Sequence, residues 1–198
     1  MKFLQRKTKR LFIRPLEIKD FKIWKASNLT INKSKNKWDH GPKPTHELTR
    51  DNFKKVLIGQ KEHRKNDRFY DLAVFDSQGA LVGVVAVMEV TRGISHTAFL
   101  GYSIFNNHWR LGYGKEAVRA MLDIGFKDLK LHRIEAGIEP GNIRSIRLAN
   151  SLGMRREGLK KRAIFLRNKW VDLIMYTMTS EDLGISFDTS GFKHKPRS

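Results

Sequence analysis

The stretch Asn106-Asn107-His108-Trp109-Arg110-Leu111-Gly112-Tyr113-Gly114-Lys115-Glu116-Ala117 governs how the rest of the chain is read. Before it, Thr97 to Ile104 is rich in β-formers. After it, Gly112 to Lys127 carries Ala117, Met121 and Ile124 on one line with Val118 and Leu122 beside it, the spacing of an amphipathic helix. Gly112 and Gly114 therefore fall where the exit of a strand becomes the first turn of a helix. Without side chains there, main-chain N–H groups can approach an anion closely. Those groups lack intrahelical partners, and the helix dipole favours negative charge at that end. Arg110 and Lys115 add positive charge, so the chemistry suggested is pyrophosphate binding.

Several readings of such a loop compete. A Walker loop needs Ser or Thr after its Gly-Lys to hold magnesium, and here Glu116 follows Lys115. A dinucleotide fingerprint, G-x-G-x-x-G/A, is matched literally by Gly112, Gly114 and Ala117. That turn should follow its strand directly, yet Phe105 to Leu111 intervene, and His132 stands where a ribose-binding acid is wanted. Glycines that only ease a turn are the plain structural alternative.

Working outward, Arg10 to Pro15 reads as a short strand stopped by proline. A helix follows from about Ile18, a polar loop spans Asn32 to Pro44, and a second helix runs from Leu48 to Glu62. Tyr70 to Phe75 and Ala80 to Val90 are β-rich and joined by Asp76-Ser77-Gln78-Gly79, a hairpin signal. His132 to Ile138 reads as a strand. Asn142 to Leu152 reads as a helix with Asn142 as N-cap and Gly153 as its stop. Ala163 to Leu166 and Trp170 to Met178 form a hairpin about Arg167-Asn168-Lys169. The crossover from 97–104 through the helix to 133–138 requires one parallel pair inside an otherwise antiparallel sheet, giving a mixed α/β (α+β) fold. A single domain over 1–185 and a polar tail over 186–198 are expected.

The 198 residues include 39 Lys+Arg against 20 Asp+Glu, a formal charge of +19, and the excess is uneven: residues 1–70 alone hold 20 basic and 7 acidic side chains, or +13. Such a potential speeds encounter with acidic partners, electrostatic contact with RNA among them, whereas a merely solubilising surface is the bland alternative. Lys33, Lys35, Lys37 and Lys43 concentrate it in the polar loop. The absence of cysteine excludes disulfides, thiolate metal sites and cysteine nucleophiles, and the seven histidines show no ligand spacing, so no metal is expected. No stretch approaches a membrane span, and the basic start lacks the apolar core of a secretory signal. A cytoplasmic location follows by default. Trp24, Trp38, Trp109 and Trp170 are expected to pack or to line an acceptor groove.

The glycine turn resembles the acetyl-CoA loop of the GNAT N-acetyltransferase superfamily, Gln/Arg-x-x-Gly-x-Gly/Ala, with Gly112 and Gly114 at the fourth and sixth places and Trp109 departing from the first. Gly101-Tyr102, Gly112-Tyr113 with Glu116-Ala117, Leu131-His132-Arg133-Ile134-Glu135-Ala136, Asn142-Ile143-Arg144-Ser145, Leu152-Gly153-Met154 and Glu157-Gly158 are similar to the RimJ/RimL-like ribosomal-protein N-acetyltransferase branch. The resemblance covers roughly residues 10 to 180. It implies a sheet of about seven strands and about four helices, with acetyl-CoA entering a gap between the two parallel strands. It also implies that Tyr102, Ser103 and Ile104 bind the pantetheine, and that Arg110, Leu111, Gly112, Tyr113, Gly114 and Lys115 hold the diphosphate. Asn142 and Ser145 would sit near the thioester, Ser145 protonating the departing thiolate; a helix cap and an exposed helical serine are their plain alternatives.

Departures from the family carry information too. Many superfamily members place a tyrosine as general acid where this chain has Ala149, and some RimL-like members a glutamate as general base where it has Ile164. Glu135 and Glu89 remain as candidate bases, each with a structural role as alternative. An α-amine of pKa ~7.8 is roughly a third neutral near pH 7.5, whereas a lysine amine of pKa ~10.4 is only ~0.1% neutral. A chain without a strong side-chain base therefore leans towards N-terminal α-amines, by direct amine attack on the thioester. A protein N-terminus, a ribosomal protein first, is the expected acceptor. The alternatives are a small amine (antibiotic, polyamine or amino acid) and a non-catalytic ribosome- or RNA-binding protein on the same fold.

Overall fold

A computed structural model describes residues 4–189, so most of the tail expected over 186–198 lies outside the described residues. Eight strands among the described residues form one sheet: β1 (Arg6–Lys7), β2 (Leu11–Arg14), β3 (Tyr70–Asp76), β4 (Leu81–Thr91), β5 (Thr97–Ile104), β6 (Arg133–Ile138), β7 (Arg155–Leu166) and β8 (Lys169–Thr179). Their spatial order is β1-β2-β3-β4-β5-β6-β8-β7. Every neighbouring pair is antiparallel except β5 and β6, whose connection runs through a helix. The eighth strand beyond the seven expected is β1, two charged residues too short to show a period. The last hairpin is also longer than expected on its first arm. Register shifts at Arg156/Gly158 and Lys160/Ile164, with Arg162 at φ +47°, break the alternation by which a strand is recognised.

Four α-helices among the described residues cover the two faces: α1 (Phe21–Thr30), α2 (Arg50–Lys65), α3 (Tyr113–Asp123) and α4 (Ile143–Ser151). The alternation of side chains decides which face each covers. On one face Ala73, Phe75 and Leu81 meet Trp24 of α1 and Phe53 of α2. On the other, Leu72, Val74, Val85, Leu100 and Ile134 meet Ala117, Val118, Met121 and Leu122 of α3 and Ala149 of α4. These α3 residues are entirely buried, each worth about 1–3 kcal/mol depending on side-chain size. Phe187, assigned by sequence to the tail, packs edge-on against His96 and His132 at ring distances of 5.1 and 5.3 Å.

The functional consequence lies between β5 and β6. They pair only from Thr97↔Arg133 to Phe99↔Glu135. Beyond that, β5 stays with β4 as far as Gly83↔Ile104 and β6 stays with β8 as far as Ile138↔Ile174. The two strands thus part at Leu100 and Ala136, and the sheet opens as a wedge toward the ends from which α3 and α4 begin.

Candidate functional site

The outer part of the wedge is a cavity of about 700 Å³ between the end of β5, the start of α3, the first turns of α4 and the loop after α1. Local sequence builds its walls. Gly112 caps α3 at φ +80°, a left-handed conformation that glycine adopts without penalty, and Arg110 just before it stands at φ +69°. A Cβ on Gly114 would lie 3.1 Å from Leu148 Cδ1, so a bare backbone lets α3 approach α4. Glu116 fastens this turn to the start of the sheet, accepting hydrogen bonds from Thr8 Oγ1 at 2.6 Å and from Arg10 N and Nε at 2.8 Å each. Burial alone would raise the Glu116 carboxyl, but these bonds outweigh it and hold it below the usual carboxylate range.

Arg110, Lys115, Arg144 and Arg147 all line this cavity. Arg144 lies over the Trp109 ring at 4.1 Å and Lys35 at 5.6 Å, while Trp109 Nε1 donates to the Ile104 carbonyl at 2.7 Å. Main-chain N–H groups of a helix start, two glycines and four cations form the donor set that a diphosphate requires. The volume of the cavity and this donor set suit coenzyme A, so acetyl-CoA fits the residues present.

Deeper in the wedge is a second cavity of about 210 Å³, lined by Leu100, Ala136, Ile138, Ala149, Met154, Ile164, Leu166 and Leu173. Trp38, Tyr102, Asn142, Ser145 and Leu148 border both cavities and stand between them. Asn142 caps α4, its Oδ1 accepting from Ser145 N at 3.4 Å. The Tyr102 hydroxyl donates to Ser145 Oγ at 3.0 Å. Burial pushes the Tyr102 phenol above its ordinary pKa, opposed only by the contact with Ser145.

Glu139 closes the inner cavity at one end. Its carboxylate accepts from Trp38 Nε1 at 2.9 Å, from Lys37 Nζ at 3.1 Å and from Arg167. Burial would raise this carboxyl, but Arg167, Lys37 and Trp38 together keep it below the usual range. The loop carrying Lys37 and Trp38 is secured from its other side by the buried Asn106, whose amide bonds the main chain at Asn32 and Lys33 and the carboxylate of Asp39. A Cβ on Gly141 would lie 3.1 Å from the Trp38 ring, so glycine there admits the indole. Lys35 and Lys37, two cations of the basic loop, are thereby engaged in the site.

Most residues singled out from the sequence converge on the wedge: Tyr102, Ser103, Ile104, Arg110, Gly112, Tyr113, Gly114, Lys115, Asn142 and Ser145 all line the outer cavity. Leu111 does not; its carbonyl is turned to Arg10 Nη1 at 2.6 Å. The Ile104 carbonyl is taken by Trp109 and the Ser103 main chain is turned to Val84 of β4, leaving the main chain of Tyr102 for a ligand. Glu135 lines neither cavity; it accepts from Arg133 Nε at 2.6 Å, in a cluster with Glu157 and Thr177. Glu89 lies 3.6 Å from Arg68, at an irregularity of β4. Trp170 is 59% exposed and packs only against Phe165, neither core nor groove. Trp38, expected to pack or to line an acceptor groove, lines both cavities. Glu139, Arg144 and Arg147 were not singled out from the sequence: Glu139 meets Trp38 across 101 positions, whereas the place of the arginines in the first turns of α4, beside a predicted cap, was a usable signal.

Residues 10–155 match the acetyltransferase (GNAT) domain family. The chain is 31% identical over 175 residues to an uncharacterized N-acetyltransferase, YnaD, of Bacillus subtilis, covering 88% of this chain and 96% of that one. It is also 31% identical over 121 residues to the [ribosomal protein uS5]-alanine N-acetyltransferase of Escherichia coli, 61% of this chain and 62% of that protein. Among solved structures, Mycobacterium smegmatis RimJ in complex with CoA-disulfide superposes with a TM-score of 0.73 at 24% identity, over 89% of this chain and 85% of that one. Among the described residues no cluster of His, Asp or Glu is placed to hold a metal, and no helix is long and apolar enough to cross a membrane.

Proposed function

The chain belongs to the GNAT acetyltransferase family and is an N-acetyltransferase that uses acetyl-CoA, and from that premise we propose that its acceptor is the N-terminal α-amine of a protein, a ribosomal protein first, in the cytoplasm. The observation that carries this reading is the lining of the inner cavity. Ala149 and Ile164 both line it, and neither can take a proton. Its one carboxylate, Glu139, is held ionised by Lys37, Arg167 and Trp38, which makes it a weak base. An α-amine, already partly neutral near pH 7.5, needs no stronger help than water.

In this reading the main chain about Gly112 and Gly114, with Arg110 and Lys115, grips the diphosphate. Tyr102 binds the pantetheine arm through its main chain, Ser103 lines its path, and Asn142 orients it from α4. Bound acetyl-CoA supplies an activated acetyl group: the amine nitrogen bonds to its carbonyl carbon, the C–S bond breaks with its electron pair left on sulfur, and the amine proton leaves to water. Ser145, bordering both cavities, donates a hydrogen bond to that sulfur and is the catalytic residue. The one carboxylate lining the inner cavity, Glu139, is bound to Lys37 and Arg167, which leaves no net negative well for a free polycation there.

The test has two stages. Acetyl-CoA and CoA should raise the melting temperature while NAD and ATP do not; about a hundredfold excess over Kd corresponds to ~2.7 kcal/mol. Initial rates are then compared for a peptide with an α-amine and its N-acetylated, lysine-bearing counterpart. Faster α-amine acetylation supports the proposal, and faster lysine acetylation refutes it.

A further inference from the structure

Ser145 Oγ has one hydrogen to give, and the structure shows where it is not given. The oxygen accepts from Tyr102 at 3.0 Å, and the main-chain N–H of the same residue is satisfied by Asn142. Among the described residues the Ser145 hydroxyl has no acceptor of its own, and the neighbouring lining at Leu148 and Ala149 is apolar. The direction of the Tyr102–Ser145 bond follows from acidity, since a phenol is a far stronger acid than an aliphatic alcohol and so acts as the donor. With one lone pair engaged by Tyr102 and no acceptor of its own among the described residues, the serine hydroxyl keeps its hydrogen for a ligand in the cavities that it borders.

We propose that Tyr102 is a positioning residue: by donating to Ser145 Oγ across the wedge, it directs the Ser145 hydroxyl hydrogen onto the sulfur of coenzyme A. The inference rests on the reading of the wedge given above and adds a residue from the facing strand to it. Two features support it. Tyr102 is displaced by burial away from ionisation, so it stays a donor through neutral and mildly alkaline pH. Ser145 is the third residue of α4 after its cap, where the helix dipole favours negative charge on a nearby sulfur. Accepting one hydrogen bond polarises a hydroxyl and strengthens the bond that it donates.

The experiment reads the thiol of bound CoA and so needs no knowledge of the acceptor. The ultraviolet absorbance of the thiolate is followed against pH for the CoA complex, with the desulfo-CoA complex subtracted to remove the protein's own tyrosines. Relative to the native chain, Tyr102→Phe should raise the midpoint of this titration by about one pH unit, the size of one charge-assisted hydrogen bond. Ser145→Ala should raise it by the same amount or more, and adding Tyr102→Phe to Ser145→Ala should change nothing further. CoA affinity at low pH, where the thiol is neutral, should stay within about twofold in every variant. Independent, additive shifts, or no shift in Tyr102→Phe, overturn the inference while leaving the acetyl-CoA site intact. Failure of CoA to bind the native chain would instead sink the reading on which it rests. With a turned-over peptide, kcat should fall in the same non-additive pattern while KM for acetyl-CoA holds.

Discussion

The two cavities of the wedge are built on different principles. The outer one is walled by main chain: a helix start held open at Gly112, a close approach permitted at Gly114, and a rim of cations on α3 and α4. Most of what it needs lies in one stretch of twelve residues. The inner one is walled by side chains from β5, β6, β7, β8, α4 and the loop after α1, segments far apart in sequence. A site for a fixed ligand can be made from backbone that tolerates few changes. A site that chooses among amines can be retuned one side chain at a time. Changes to the outer cavity should therefore alter donor affinity whatever the acceptor, and changes to the inner one should alter acceptor choice at constant donor affinity.

The largest expected effect breaks the outer wall. Gly114→Val places branched carbon where Leu148 already stands at 3.1 Å and prises α3 from α4. Overpacking of this kind costs up to about 3 kcal/mol, which corresponds to a roughly hundredfold weaker Kd for CoA. Calorimetry at a temperature where the variant remains folded measures it. The ratio of α-amine to lysine rates should not move, and a changed ratio would show that the two cavities are not separable. Of intermediate size is Ile164→Glu, which sets a carboxyl among Leu100, Leu166 and Leu173. A partly desolvated carboxyl has a raised pKa and serves as a base, so lysine acetylation should gain about tenfold relative to α-amine acetylation. CoA affinity should stay within about twofold. An unchanged preference would mean that proton removal does not limit lysine turnover.

The same division explains what could be read from sequence. The strand-glycine-helix junction, the parallel pair it forces and the apolar line of α3 all rest on local periodicity and on residues whose backbone demands are strong. Tyr102 was legible as a member of β5 and, through the family resemblance, as a pantetheine-binding residue, but not as a partner of Ser145. That its side chain reaches Ser145 depends on the register of β5 against β4 and on the docking of α4, a contact across 43 positions. Glu135 was picked from its place beside the parallel pair. Its engagement by Arg133 two residues away could have been suspected, since alternate residues of a strand share a face. The first arm of the last hairpin was lost to its bulges, and Glu139, the partner of Trp38, to a contact across 101 positions. Trp170 shows the reverse error, an aromatic assigned to packing that the twist of an irregular hairpin leaves in solvent.

The smallest expected effect sharpens the comparison at the end wall of the inner cavity. Glu139 joins the loop at Trp38 to the hairpin at Arg167, and its carboxyl titrates below the usual range because those cationic and indole partners overcome the burial that would raise it. A depressed folded-state pKa means that the stabilisation is present in full above the unfolded value of about 4.3 and is lost as pH falls through the folded value. Glu139→Gln keeps the shape and removes the charge. Above about pH 5 it should lower stability by ~1 kcal/mol, a melting shift of about 2–4 °C for a chain of this size. As the pH falls below the unfolded value the gap between the two melting temperatures should narrow steadily. Because Glu139 itself lines only the inner cavity, the variant should raise KM for the peptide by about twofold while CoA affinity changes less than that. A melting difference that persisted undiminished at pH 3 would show that the charge on Glu139 does not hold the loop, and that packing of Trp38 against Gly141 does so alone.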